Sequence, residues 1–349
     1  MPDRPRLTPA IADVRRAVRA ALEGPPPDSL VLVALSGGQD SLALAAATAF
    51  EAPRAGLRAG AVIVDHALQP GSADVAARAA QQAEQLGLAP VRVERVSVGA
   101  AGGGGPEAAA RAARYAALEQ AASELDASAV LLAHTLDDQA ETVLLGLARG
   151  SGSASLQGMA ARRGIFRRPL LGIRRATTGQ ACTDAGLEPW VDPQNADPAF
   201  TRVRVRTRVL PVLEAELGPG VAEALARTAE QSREDSEALG AFAEEVAEDL
   251  VEAEDAGISL PVDALAANPA ALRHRLIRYV VAAEFGVSLT RAQTLEVARL
   301  VTDWHGQAGV DLPGIRASRR DGRLVLQATR ESAAPTSGPT SERSSDGTP

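Results

Sequence analysis

The 349-residue sequence predicts an α/β protein in which a parallel sheet built from strand-helix-strand units is followed by a smaller, mainly helical domain. Three observations carry that expectation. Short apolar runs alternate with longer helical segments through the first half, a spacing that calls for right-handed crossovers and parallel strands. A glycine turn, Ser36-Gly37-Gly38, joins one apolar run directly to an alanine-rich segment. From Pro219 onward the sequence is mostly helical, and the length exceeds what one ordinary core uses.

Taken in order, Ile11 to Leu22 predicts an amphipathic lead helix, stopped by Gly24-Pro25-Pro26-Pro27. Leu30 to Leu35 is apolar and β-branched enough for a strand covered on both faces, and the segment after Ser41 favours helix. Ala61 to Val64 is a second strand ending at Asp65-His66, and Asp74 to Leu86 is helical with Gly87 as its stop. Val91 to Val98 is a third strand, Gly99 to Gly105 a flexible loop closed by Pro106, and Glu107 to Leu125 a helix. Val130 to Ala133 is a fourth strand, and its helix carries Asp137 to Ala148. Helices are expected over Val221 to Val251, Ala270 to Glu284 and Thr290 to Thr302, then a hairpin around Asp321-Gly322. Tyr279, Trp304 and His305 are expected mainly as core residues, and the Ser/Thr/Pro/Gly-rich tail from Glu331 to Pro349 as disordered.

Composition narrows the classes of function. Apolar content of 46% and charged content of 23% suit a soluble globular chain. No apolar run approaches the roughly 20 residues that span a bilayer, and Met1 to Thr8 has no leader character. The single Cys182 excludes an internal disulfide and a cysteine-rich zinc site, so a reducing cytoplasm is the simplest setting. All 36 basic residues are Arg. They segregate: eleven against four acids over Arg149 to Arg208, two against fourteen over Glu214 to Asp255, and ten against five over Leu272 to Arg330. Two basic blocks admit a local phosphate-binding surface despite the net charge of −8; solvated helix faces are the plainer reading of the same pattern.

The chemistry is concentrated at strand ends, where open parallel sheets bind ligands. Gly37 and Gly38 allow a sharp turn that brings bare N–H groups and a helix N-terminus against an anion; Ser36 and Ser41 add hydroxyls, and Asp40 can hold Mg2+. The stretch fits neither a Walker loop, which needs a Lys, nor the dinucleotide fingerprint. In the fourth unit Asp137 and Glu141 are four apart and Asp138 and Glu141 three apart, so all share one side of a first helical turn near His134. Acids there ordinarily complement the helix dipole. Beside a phosphate loop they can instead bind Mg2+ or take the proton of an ammonium group, which suggests an amine nucleophile. Arg111 and Arg114 read either as surface partners or as a clamp for carboxylate or phosphate. Arg202, Arg204, Arg206 and Arg208 alternate with other residues, which places all four on one side of a strand or spreads them around a helix; either way a cationic connector suits an RNA backbone.

Ser36-Gly37-Gly38-Gln39-Asp40-Ser41 resembles the SGGxDS pyrophosphate loop of the N-type ATP pyrophosphatases. The succession SGGQDS, VDHALQPGS, EAAARAARY, AHTLDDQAETVLLGLARGSGSASLQGM, RRPLL and WVDPQNADPAFTRVRVRTRVLP, from Val31 to Pro211, resembles the tRNA(Ile)-lysidine synthase family. The resemblance implies a PP-loop, nucleotide α-hydrolase-like fold and an ATP-dependent ligase. ATP would adenylylate the C2 oxygen of the wobble cytidine in a CAU-anticodon isoleucine tRNA, and the side-chain amine of L-lysine would displace AMP. It implies ATP binding by Ser36, Gly37, Gly38, Gln39, Asp40, Ser41, Asp65 and His66; catalytic roles for Asp40, His134, Asp137, Asp138 and Glu141; and lysine or phosphate binding by Arg111, Arg114, Asp137 and Glu141. Asp40 and Asp138 would hold Mg2+, and Arg202, Arg204, Arg206 and Arg208 would contact tRNA. Gln194 and Val203 depart from the family pattern. The implied partners are tRNA(Ile) and L-lysine, with a homodimer as a candidate assembly and no membrane. A different PP-loop enzyme such as a tRNA thiolase is the alternative, against which Cys182 stands without a partner. The expected domains are a lead helix and Pro-rich turn (1–27), the catalytic domain (28–190), an Arg-rich connector (191–217), a helical tRNA-binding domain ending in a hairpin (218–330) and the tail (331–349).

Overall fold

A computed structural model describes residues 7–66, 71–96, 105–150, 155–254 and 256–329. The expected glycine loop before residue 105, Ser151 and Gly152 of the family-like stretch, and the tail lie outside the described residues. The chain divides into two units, residues 1–233 and 234–349.

In the first unit α1 (Pro9–Ala21) begins on a Thr8 cap whose Oγ1 accepts from the Ile11 N–H, and its buried stripe Ile11, Val14 and Val18 follows the helical period. The central strands β1 (Leu30–Ala34), β2 (Arg58–Asp65), β3 (Val91–Arg95) and β4 (Ala127–Leu131) alternate with α2 (Gln39–Glu51), α3 (Ser72–Gln85), α4 (Gly105–Glu124) and α5 (Leu136–Arg149). The sheet order is β3-β2-β1-β4-β6-β5, parallel throughout except for the last pair. Val31 and Val33 of β1 face one cluster with Leu42, Leu44, Ala61 and Ile63, while Leu30 and Leu32 face another with Leu118, Val130 and Phe166. Both faces are therefore covered, which explains why β1 reads as an unbroken apolar run. The strand order reverses between β1 and β4, and that switch opens a crevice beyond their carboxyl ends.

The pair β5 (Arg162–Arg163) and β6 (Phe166–Arg167) has no counterpart among the expected strands. β6 extends the parallel sheet beside β4 and delivers Arg168 to the same edge. The segment α6 (Arg175–Asp184) then packs on α1 and α2. The arginine-rich stretch is helical: α7 (Thr201–Arg204), a π turn (Val205–Val209) and α8 (Leu210–Leu217), continuing to α9 (Val221–Leu250).

In the second unit α10 (Val262–Ala267), α11 (Ala270–Phe285) and α12 (Arg291–Thr302) pack on an antiparallel sheet ordered β7 (Glu252–Glu254), β8 (Gly257–Pro261), β11 (Arg323–Ala328), β10 (Ile315–Arg320) and β9 (Val310–Leu312). Asp321 and Gly322, at φ 47° and 74°, turn β10 into β11. Helices still supply most of this unit, but the hairpin is the middle of five strands rather than an appendage. Tyr279 borders the apolar core and donates to Glu244, whereas Trp304 is exposed with Arg319 over its ring.

Candidate active site

The glycine turn places its backbone where an anion can meet it. Gly37 adopts φ 80°, a left-handed conformation suited to glycine. Gly38 then caps α2 without a side-chain acceptor, so among the described residues no side chain caps the first amides of that helix, which face outward as an anion site would. Ser41 Oγ donates to the Gly38 carbonyl at 2.9 Å and accepts from the Ser36 N–H at 3.2 Å, with the two hydroxyls 3.1 Å apart. The Trp190 N–H donates to the Gly37 carbonyl at 2.9 Å and ties the segment after α6 to the turn. Gln39 faces α6 instead of the turn, donating to the Arg175 carbonyl at 3.1 Å.

Asp138 has two jobs on two oxygens. Oδ2 accepts from the Thr135 N–H and hydroxyl, both at 2.8 Å, closing a capping box at the start of α5; Oδ1 accepts from Arg175 Nη2 at 2.8 Å. Glu141, one turn on, is fully buried and accepts from three guanidiniums: Arg175 at 3.2 Å, Arg202 Nε at 2.7 Å and Arg206 Nε at 2.7 Å. Asp137 accepts from the Arg175 N–H at 2.7 Å and lies 3.5 Å from Arg174. Asp40 accepts from Thr178 and pairs with Arg175 at 3.5 Å. Four carboxylates thus meet four guanidiniums, and Arg175 links the phosphate turn to the acids of α5.

This arrangement sets the local acidity. Burial alone would push the Asp138 carboxyl up, but Arg175, Arg202 and the Thr135 N–H outweigh it and hold it below the usual range. Asp40 goes the other way: burial raises it, only partly offset by Thr178 and Arg175. Burial lowers His134, assisted by Arg168, Arg114 and Arg111 against Asp138, so its imidazole is neutral; His66 is lowered by burial and Arg114. Burial pushes the Cys182 thiol up to about 11, and its Sγ–H donates to the Gln39 carbonyl.

The structure brings together residues 36–41, His134, Asp137, Asp138 and Glu141 at adjoining strand ends. Asp65 is buried at the end of β2, and Arg111 and Arg114 lie on α4 beside Tyr115. The four connector arginines separate. Arg202 and Arg206, one turn apart, point to Glu141, whereas Arg204 caps its own turn through the Pro198 and Ala199 carbonyls and Arg208 is exposed. Arg174, Arg175 and Thr178 join the site without having stood out in the sequence, and Arg168 appears there only within the RRPLL stretch, without a role; Arg174 and Arg175 follow a turn that has no periodic signal of its own.

Among the described residues no group of three His, Cys, Asp or Glu is arranged as a metal cage. Mg2+ is commonly held by one or two carboxylates with substrate phosphates completing its shell. Asp40 and Asp138 offer that all-oxygen donor pair, sharing the Arg175 guanidinium, which stands where a cation would. A cavity of about 250 Å³ beside them is lined by Asp137, Glu141, Arg174, Arg175, Arg206 and Glu214. A larger hollow of about 510 Å³, lined by Asp13, Thr177, Gln180 and Asp184, contains none of these groups. No described helix is long and apolar enough to cross a membrane.

Residues 12–213 match the PP-loop domain family and residues 260–325 the TilS substrate binding domain. A tRNA(Ile)-lysidine synthase of Leifsonia xyli subsp. xyli is 66% identical over 301 residues, covering 86% of this chain and 90% of that protein. Its counterpart in Thermobifida fusca is 54% identical, covering 92% and 98%. Among solved structures, the U34-tRNA thiolase NcsA from Methanococcus maripaludis, with its [4Fe-4S] cluster, aligns with TM-score 0.53 at 19% identity over 64% of this chain and 79% of its own. That likeness is one of fold.

Proposed function

The chain belongs to the tRNA(Ile)-lysidine synthase family, and from that premise we propose that it joins L-lysine to the wobble cytidine of a CAU-anticodon isoleucine tRNA in two steps. It is an ATP-dependent ligase of tRNA modification that forms a carbon–nitrogen bond. In the first step the C2 oxygen of the cytidine attacks the α-phosphate of ATP and pyrophosphate leaves. In the second, the lysine ε-amine attacks C2, AMP leaves with the oxygen, and the amine gives up its proton.

The residues divide between these steps. The first amides of α2, with Ser36 and Ser41, bind the leaving pyrophosphate and orient the α-phosphate for in-line attack. Asp40 and Asp138 would hold Mg2+, which when bound neutralises phosphate charge. Asp137 and Glu141 hold an ammonium and lower the barrier to its deprotonation. His134, neutral in its buried setting, offers a hydrogen bond without adding charge. Residues 28–190 are assigned to catalysis, 191–217 to a connector and 218–330 to tRNA binding, in a cytoplasmic setting.

The observation that carries this reading is the link from Asp40 through Arg175 to Asp138 and Glu141, which puts cation-binding acids beside the phosphate turn. A sulfur-transferring alternative is disfavoured because the lone Cys182 is buried and its thiol is held protonated. Purified protein with ATP, Mg2+, radiolabelled lysine and unmodified tRNA is expected to transfer label to the tRNA with one AMP released per lysine. Absence of label from a CAU-anticodon substrate sinks the reading.

A further inference from the structure

The turn that follows α12 presents a tryptophan to solvent instead of burying it. Thr302, Asp303, Trp304, His305 and Gly306 are all exposed, and Trp304 keeps 36% of its surface open. The turn itself is tightly built. The Asp303 N–H donates to the Arg299 carbonyl at 2.9 Å and closes α12; the His305 N–H donates to Gln307 Oε1 at 2.8 Å, and Gln307 Nε2 returns to the Asp303 carbonyl at 2.8 Å. Gly306, at φ 96°, makes the reversal between them. Gly309 then runs so close to β10 that a Cβ there would meet the Ala317 carbonyl at 2.7 Å. Arg319 of β10 donates from Nη1 to the Leu300 carbonyl at 3.2 Å, at the C-terminal end of α12, and lies over the indole with Cζ 5.6 Å from the ring centre. Trp304 is thus held by a polar turn and a cation and stands outside the apolar core of its unit.

A single exposed apolar side chain ordinarily needs no partner. This one differs in being fixed in place beside unpaired charge. Neither Arg299, exposed on the last turn of α12, nor Arg319 has a carboxylate at ion-pair distance among the described residues, whereas Arg316 and Arg323 pair with Asp311 and Glu252. The carboxylate of the turn, Asp303, engages neither arginine. An aromatic face flanked by guanidiniums suits the π-face of a nucleobase, with the cations left for the adjoining phosphates.

We propose that Trp304 is a base-stacking platform on which an unpaired base of the RNA substrate lies, with Arg299 and Arg319 supplying charge for its backbone. The base must be unpaired, because in a duplex its faces are already stacked on neighbours. A protein partner would call for a contiguous apolar patch, and the residues flanking Trp304 are polar or glycine. The platform rests on the assignment of residues 218–330 to tRNA binding and narrows it to a single-stranded loop or end.

The chain has two tryptophans, so 5-fluorotryptophan gives the full-length protein two 19F resonances, assigned with Trp304→Phe. The labelled protein is titrated with a short single-stranded RNA and, separately, with a blunt duplex of the same sequence. The single strand is expected to shift the Trp304 resonance and the duplex to leave it in place. In filter binding, Trp304→Ala is expected to weaken unmodified tRNA by about fivefold or more with an unchanged salt slope, since no phosphate contact is lost. Trp304→Phe, which keeps a stacking face, is expected to stay within about threefold of wild type. A Trp304 resonance unmoved by the single strand overturns the platform, as does an equal shift with the duplex or unchanged tRNA affinity of Trp304→Ala. A resonance that moves with protein concentration before RNA is added gives the ring to a second copy of the chain and overturns it too. If Trp304→Ala fails to fold, the wild-type titrations decide alone. Failure of lysine transfer in the wild-type assay would remove the catalytic reading and leave these binding results standing, whereas intact transfer with an unmoved resonance would sink the platform alone.

Discussion

Replacing Asp138 by asparagine tests whether one carboxylate both starts α5 and anchors the arginine network. The substitution is nearly isosteric, but an amide has a single acceptor oxygen. If that oxygen faces Thr135, the NH2 group points at Arg175; if it faces Arg175, the NH2 group meets the Thr135 N–H. Loss of a helix cap costs about 1 kcal/mol, and breaking one partner from a buried ion pair about 3–5 kcal/mol. Arg175 retains Glu141 and Asp40, so the pair is only partly broken and the net loss is expected below the sum of these costs, roughly 2–4 kcal/mol. For a unit of this size each kcal/mol moves the midpoint by about 2–4 °C, and Asp138→Asn is expected to lower it by roughly 5–15 °C in scanning calorimetry. Acid pH gives an independent reading. The folded carboxyl lies below its ordinary value of 3.8, so its contribution is present above about pH 4 and is lost as pH falls through the depressed value. The variant should lack that part of the acid loss. Asp40, raised by burial, works with the opposite sign and is common to both proteins. A melting point within about 2 °C of wild type, or an unchanged acid profile, would refute the double role.

Other outcomes follow from the same geometry. Arg208→Gln is expected to weaken tRNA binding a few-fold and to reduce the salt slope by about 0.7–0.9 in filter binding, with no change in melting, whereas Arg202→Gln should chiefly lower stability because it strips a partner from Glu141. Gly37→Ala forces a side chain to φ 80°, costing about 1 kcal/mol or more, and equilibrium titration should find weaker ATP-analogue binding. Cys182, with its thiol at about 11 and 1% exposure, should resist alkylation at pH 8 until the chain unfolds, a difference read by mass spectrometry in native and denaturing buffer.

Sequence legibility tracked the range over which each signal acts. The β1 turn and the acids of α5 are local patterns, so their residue types and spacing could be read directly, and the alternation of strands and helices followed from periodicity. The β5 and β6 strands are two residues each and arginine-rich, too short for any period, yet they bring Arg168 to the crevice. Likewise β7 and β9 are three residues long and gain their identity only from neighbours across the sheet. The alternating arginines were ambiguous because alternation fits a strand; once Thr201–Arg204 is helical, Arg202 and Arg206 share a face and turn inward. Arg175 lay furthest from reach, since its partners Asp40, Asp138 and Glu141 come from two distant helices.

The guanidiniums around Asp138 and Glu141 differ from an ammonium in one respect that matters for chemistry. Arginine keeps its proton at any pH a protein survives, so these side chains neutralise the acids without ever becoming nucleophiles. An amine that enters the same position can surrender its proton to a carboxylate and then react. With no lysine anywhere in the chain, the protein's own side chains supply no competing ε-amine at these acids.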